Sequence, residues 1–114
     1  MSACLFCRIV EGTVPADILF QDDQSLAFRD INPQAPVHLL VIPKRHVPSL
    51  GDFANEDRDL LARLLLLCKE LAHRHGLAES GYRVVTNVGR DAGQTVFHVH
   101  LHVLGGRHMS WPPG

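Results

Sequence analysis

Residues 97–104 read Phe-His-Val-His-Leu-His-Val-Leu. On a strand this two-residue alternation sets His98, His100 and His102 on one face and turns Phe97, Val99, Leu101 and Val103 toward a core. Same-face neighbours are roughly 6.5–7 Å apart, so the row is long enough to span a reacting phosphate and its contacts. Imidazole, with a reference pKa of about 6.5, can attack phosphorus near neutrality and still depart again. Half-buried packing is the ordinary fate of a strand histidine, and neutral imidazoles are also common zinc ligands.

The segment upstream, Gly89-Arg90-Asp91-Ala92-Gly93-Gln94-Thr95, separates these readings. Gly89 and Gly93 permit positive φ, so consecutive amides could converge on an anion, with Thr95 adding a hydroxyl. A plain turn would use the same glycines. Joined to the histidine row, the loop would set phosphorus next to the central imidazole. His100 is therefore the candidate nucleophile, with its other ring nitrogen donating to a main-chain carbonyl of the same strand. His102 would contact the phosphate and could protonate the leaving group, and His38, on a neighbouring strand, would support. His98 completes the row. A nucleoside also needs a carboxylate for its ribose hydroxyls and an apolar slot for its base. Asp30 suits the first, though it could equally cap the turn before Asn32-Pro33. Ile31 and Phe28, with Leu26 or Ile9, suit the second.

These groups must be carried by an α+β domain. Leu5–Glu11 reads as a short helix ended by Gly12. Strands follow at Ile18–Gln21 and Ser25–Arg29 around an Asp22-Asp23 turn, then at 37–42, stopped by Pro43. The longest helix follows Asn55 as N-cap and closes at Gly76. Its apolar set, Leu60, Leu61, Leu64, Leu65, Leu67, Cys68, Leu71 and Ala72, is wider than one contact face needs. That width predicts a second buried surface, hence a homodimer.

Residues 93–104, Gly-Gln-Thr-Val-Phe-His-Val-His-Leu-His-Val-Leu, resemble the signature of the histidine triad (HIT) superfamily. Residues 30–38 and the Trp111-Pro112-Pro113-Gly114 end are similar to its nucleotide-binding Hint branch. The resemblance implies one HIT-like domain over residues 1–114, with a five-stranded antiparallel sheet, one long and one short helix, and a two-fold homodimer in which the long helix and a strand at 82–88 meet their copies. It implies a tail, 105–114, that reaches toward the partner subunit's active site. Positions matching Asp30, Ile31, Asn87, Gly93, Gln94, Thr95, His100, Leu101 and His102 would contact a purine nucleotide. The activity implied is hydrolysis of the P–N bond of adenosine 5′-monophosphoramidate, AMP-amine or acyl-AMP compounds through a nucleotidyl-histidine. Alternatives are a dinucleoside polyphosphate hydrolase, or a nucleotide-binding or docking module with incidental hydrolysis.

Cys4 and Cys7 form a Cys-x-x-Cys pair, which suits a metal knuckle or a redox motif. A structural zinc wants four ligands, so two must come from elsewhere. By resemblance these are His46 and His98, and the zinc would be structural, catalysis needing no cofactor. The 114 residues, 46% hydrophobic, suffice for one small core. A formal charge of −1 argues against a nucleic-acid partner. Neither a membrane-length apolar run nor a signal-peptide pattern is present, so the expectation is a cytoplasmic protein without a membrane partner.

Overall fold

The computed structural model describes residues 2–114. In chain order the elements are α1 (Leu5–Glu11), β1 (Ile18–Gln21), β2 (Ser25–Arg29), β3 (Val37–Pro43), α2 (Arg58–Arg74), β4 (Tyr82–Val85) and β5 (Leu101–Gly105). The strands form one antiparallel sheet in the order β1-β2-β3-β5-β4. Alternation along the central strands sends Ala27, Leu39, Val41, Leu101 and Val103 toward α2, and Leu26, Phe28, Leu40 and Ile42 toward α1. The α2 residues buried against the sheet, Leu64, Leu67, Cys68, Leu71 and Ala72, follow the i, i+3, i+4, i+7, i+8 stripe of an amphipathic helix. Leu65 and Leu66 point away and are about half exposed. Helix α1 covers only part of the opposite face, with Phe6 and Ile9, and the uncovered remainder becomes the site.

The helix ends are settled by specific caps. Gly12 and Gly76 both adopt positive φ after their helices, as expected. The start of α2 differs from the expectation at Asn55. Asn55 sits in a 3-10 turn, Asn55–Asp57, and the Asp57 carboxylate accepts the Ala54 N–H at 2.9 Å. A carboxylate two residues further on reaches that exposed amide, which moves the α-helical start to Arg58.

The triad segment also departs from a simple strand. Pairing of β5 begins at Leu101, opposite Val41, so His98 and His100 lie beyond the end of the ladder. Pro43, which would face this segment, has no N–H to donate. Val99 N–H instead donates to the Val47 carbonyl at 2.6 Å. The strand expected over 82–88 stops at Val85, and just beyond it the Thr86 hydroxyl donates to the His100 carbonyl at 2.9 Å. Phe97 does not enter the core and is 57% exposed, because the chain bends at 96–98 before the alternation takes hold.

The β1–β2 turn is tied to α2 through Asp22. Its Oδ1 accepts from Gln24 N–H, Ser25 N–H and Ser25 Oγ–H at 2.7–2.9 Å, while Oδ2 meets Arg63 at 3.0 Å. Arg63 and Arg74 both lie over the Phe20 ring. Burial opposes the charge, but these donors outweigh it and hold the Asp22 carboxyl far below the ordinary carboxylate range. Asp22→Ala is expected to lower unfolding free energy by about 2 kcal/mol at pH 7 in urea titrations. Because the folded pKa is depressed, the loss should shrink as pH falls below about 4, where the unfolded chain takes up the proton first.

Candidate active site

Three histidines, His38, His100 and His102, converge where β3 and the triad segment meet the face left open by α1, and the proton on each ring follows from its neighbours. His100 Nδ1 lies 2.8 Å from the His98 carbonyl, which can only accept, so Nδ1 carries the proton and the Nε2 lone pair is free. This is the arrangement expected for the candidate nucleophile. Gln34 N–H donates to His38 Nδ1 at 3.0 Å, leaving the His38 proton on Nε2. That proton points at His102 Nδ1, 2.8 Å away, with Asp30 Oδ2 at 3.4 Å from the same His38 nitrogen. His102 accepts at Nδ1 and therefore carries its own proton on Nε2. The chain Gln34–His38–His102 thus delivers a neutral hydrogen-bond donor beside His100, whose ring centroid lies 5.0 Å from that of His102.

Charging His102 would place a second proton between it and His38, and His38 cannot turn its own proton away while Gln34 N–H occupies Nδ1. Burial, together with the neighbouring His100 and His38, pushes the His102 pKa down to about 4. Burial lowers that of His38 too, against the pull of Asp30. The role these observations suit for His102 is donor, in preference to acid.

A cavity of about 270 Å³ opens onto His100 and His102. Asp30 and Ile31 stand at its edge, and its apolar wall comes from Phe28, Leu40 and Val96 with Leu5, Phe6, Ile9 and the Val14–Ala16 turn. Leu26 does not line it, being buried in the α1-side core. Phe6 was not foreseen as part of the wall, though the spacing of Phe6, Ile9 and Val10 on α1 carries the signal. Its ring stands edge-on to His100, with centroids 5.1 Å apart.

The other expected contacts are distributed differently. Thr95 borders the cavity, whereas Asn87, Gly93, Gln94 and Leu101 do not. Leu101 faces α2. The buried Gln94 braces the loop: Oε1 accepts from Gly89 N–H at 2.9 Å, and Nε2 donates to the Pro48 and Val96 carbonyls. Gly93 N–H and Gln94 N–H bond back to Arg90 and Gly89 carbonyls. The amides of Gly89, Gly93 and Gln94 are therefore spent within the loop, and of the segment 89–95 Thr95 is the residue that borders the cavity. Asp30 Oδ1 also accepts the Asn32 N–H at 2.8 Å, so this carboxylate both shapes its turn and faces the cavity.

His98 is fully buried and looks the other way. Its Nε2–H donates to the Pro43 carbonyl at 2.8 Å, which turns the Nδ1 lone pair toward Cys4, Cys7 and His46. From His98 Nδ1 the separations are 3.4 Å to Cys4 Sγ, 3.5 Å to Cys7 Sγ and 3.3 Å to His46 Nδ1, and Cys7 Sγ to His46 Nδ1 is 3.4 Å. A tetrahedral zinc with bonds of about 2.3 Å to sulfur and 2.0–2.1 Å to nitrogen needs S···N edges of about 3.5 Å and an N···N edge of about 3.3 Å. The four side chains fit such an ion, and the Nε2–H to carbonyl bond is the usual outer partner of a metal-bound histidine.

The HIT domain family model matches residues 11–109. An uncharacterised HIT-like protein of Synechocystis is 52% identical over 110 residues, 96% of this chain and 96% of that protein. The crystal structure of a HIT family hydrolase from Legionella pneumophila superposes with a TM-score of 0.96 at 55% identity, covering 97% of this chain and 99% of that one. A histidine triad nucleotide-binding protein from Candida albicans superposes with a TM-score of 0.83 at 34% identity, covering 96% and 83%.

Nuclear magnetic resonance titration should find His102 neutral, with the proton on Nε2, from pH 8 down to pH 5. Because its folded pKa lies below that of the unfolded chain, protonation favours unfolding as pH drops under about 6.5. Denaturation at pH 5.5 should show about 1 kcal/mol less stability from this residue than at pH 6.5. Titration of His102 near 6.5 would contradict the proton arrangement.

Proposed function

Since the chain belongs to the HIT domain family, we propose that it is a purine nucleoside phosphoramidase of the Hint branch. It would cleave the P–N bond of adenosine 5′-monophosphoramidate and of AMP-amine or acyl-AMP compounds. The observation that carries this reading is the His100 Nδ1–H bond to the His98 carbonyl, which leaves Nε2 as a free lone pair at a cavity with an apolar wall and a carboxylate. The names of the Legionella hydrolase and the Candida nucleotide-binding protein support the hydrolytic and nucleotide parts of it.

In this reading the base lies against Phe28, Ile31 and Ile9, and Asp30 accepts from the ribose hydroxyls. His100 Nε2 attacks the α-phosphorus, forming a P–N bond to histidine as the bond to the leaving nitrogen breaks. The His102 Nε2–H and the Thr95 hydroxyl donate to the phosphoryl oxygens, where negative charge is held through the transfer. The departing amine takes its proton from solvent. Water then attacks the nucleotidyl-histidine, returning His100 with its lone pair and releasing the nucleoside monophosphate. His38 holds His102, and His98 holds His100 through its carbonyl.

Zinc held by Cys4, Cys7, His46 and His98 would cross-link α1 to the triad segment, and catalysis would need no cofactor. Reduced thiols at that site suit a cytoplasmic location. The half-exposed Leu65 and Leu66 of α2, together with Val84 and Val88, support a two-fold homodimer in which this apolar face is covered. The tail, with Trp111 82% exposed, would then reach the partner subunit's active site.

Purified protein without added metal is expected to release AMP from adenosine 5′-monophosphoramidate. His100→Ala should abolish this, a loss of at least roughly 10³-fold in kcat/KM. Preference for a diadenosine polyphosphate would replace the reading with polyphosphate hydrolysis, and AMP binding without turnover on either substrate would leave a binding module. Sedimentation at micromolar concentration should give a dimer, and Leu66→Glu a monomer; a monomeric native protein would remove the dimer.

A further inference from the structure

Residues 98–100 carry the nucleophile in the functional reading above, yet they lie outside the sheet ladder, which ends at Leu101. The carbonyl that receives the His100 Nδ1 proton is therefore not held by cross-strand hydrogen bonds. What holds this segment is Val99 N–H on Val47, the Thr86 hydroxyl on the His100 carbonyl, and the ring of His98. That ring has no freedom: Nε2 is bonded to Pro43, and Nδ1 enters the group formed with Cys4, Cys7 and His46. Cys4 also has a second route to the nucleophile. Its sulfur accepts the Cys7 N–H as N-cap of α1, and α1 carries Phe6, whose ring contacts both His98 and His100 edge-on.

We propose that Cys4, Cys7 and His46 are positioning residues for His100, acting through His98. A metal joined to the four side chains latches the His98 ring, and with it the carbonyl that selects the His100 tautomer. With the latch open, the carbonyl shifts, His100 populates both tautomers, and only the fraction with a free Nε2 can attack. His46 does not line the nucleotide slot, and the α1 part of its wall, Phe6 and Ile9, stays packed on Leu26, Phe28 and Leu40, so the loss falls on kcat and not on binding.

His46 is the ligand to remove, because it is exposed and its loss leaves the core and α1 intact. The experiment compares wild type, His46→Ala and His46→Cys under reducing conditions, each with zinc added and with zinc stripped by a chelator. Zinc stoichiometry, the ring ¹⁵N spectrum of His100 and steady-state kinetics are read for each, the His100 signals being assigned from the spectrum of His100→Ala. Wild type should bind one zinc per chain and show His100 protonated on Nδ1 alone. Stripping the zinc, or His46→Ala, should give mixed tautomers with kcat reduced about 10-fold and KM within about 2-fold. His46→Cys with zinc should restore both signals. Failure of zinc to bind, or a single His100 tautomer that persists without metal and in His46→Ala, overturns the proposal. If the protein cleaves no phosphoramidate, the functional reading falls, while the zinc and ¹⁵N measurements still decide the positioning role.

Discussion

A neutral imidazole has two nitrogens and one proton, so whatever binds one nitrogen decides what the other can do. The centre of this molecule is organised by that constraint. A carbonyl on His100 Nδ1 makes Nε2 a lone pair; an amide on His38 Nδ1 makes Nε2 a donor, and through it makes His102 a donor as well. A carbonyl on His98 Nε2 turns its lone pair toward two thiols and a second imidazole. Three rings spaced two residues apart thus acquire three different characters, and each traces back to a backbone group, for His102 through the ring of His38.

The sheet supplies those backbone groups by stopping where it does. Had β5 continued through residue 98, the backbone groups of Val99 would have been paired with β3 and those of His98 and His100 with the strand on the β4 side, leaving no carbonyl for the His100 ring. Pro43 ends β3 opposite Val99 and β4 stops at Val85, so neither ladder reaches them. The unpaired stretch then takes bonds of other kinds: Thr86 by its hydroxyl, Val99 to the segment after β3, and His100 by its own ring.

Much of this was legible in the residues because it rests on local chemistry. The elements α1, β1 and β2 fall where their patterns and turn residues put them, and the α2 stripe can be read directly from leucine spacing. The His100 Nδ1 bond was foreseeable because it spans only two residues. What escaped was set by long-range geometry. Alternation at 97–104 does not say where pairing starts, so the exposure of Phe97 and the late start of β5 were hidden. The glycines of 89–93 do not say whether the loop amides will bond outward or inward, and the Gln94 side chain decides that from a buried position. The shared Asp30–His38–His102 contact needs two strands and a loop in register, which no linear pattern announces. The Cys2His2 group, by contrast, came from a resemblance, and its four-way geometry lends that origin physical support.

The donor that orients His38, and through it His102, is the main-chain amide of residue 34. Any residue but one carries that group, so the identity of the side chain at 34 is irrelevant to the proton order of the two rings. Sequence drift at this exposed loop position is silent until it reaches proline, where the donor vanishes and both tautomers become negotiable at once. An exposed position whose side chain donates to the Asn32 carbonyl two residues away therefore holds a single forbidden letter as far as the two rings are concerned, and that constraint lies in the backbone alone.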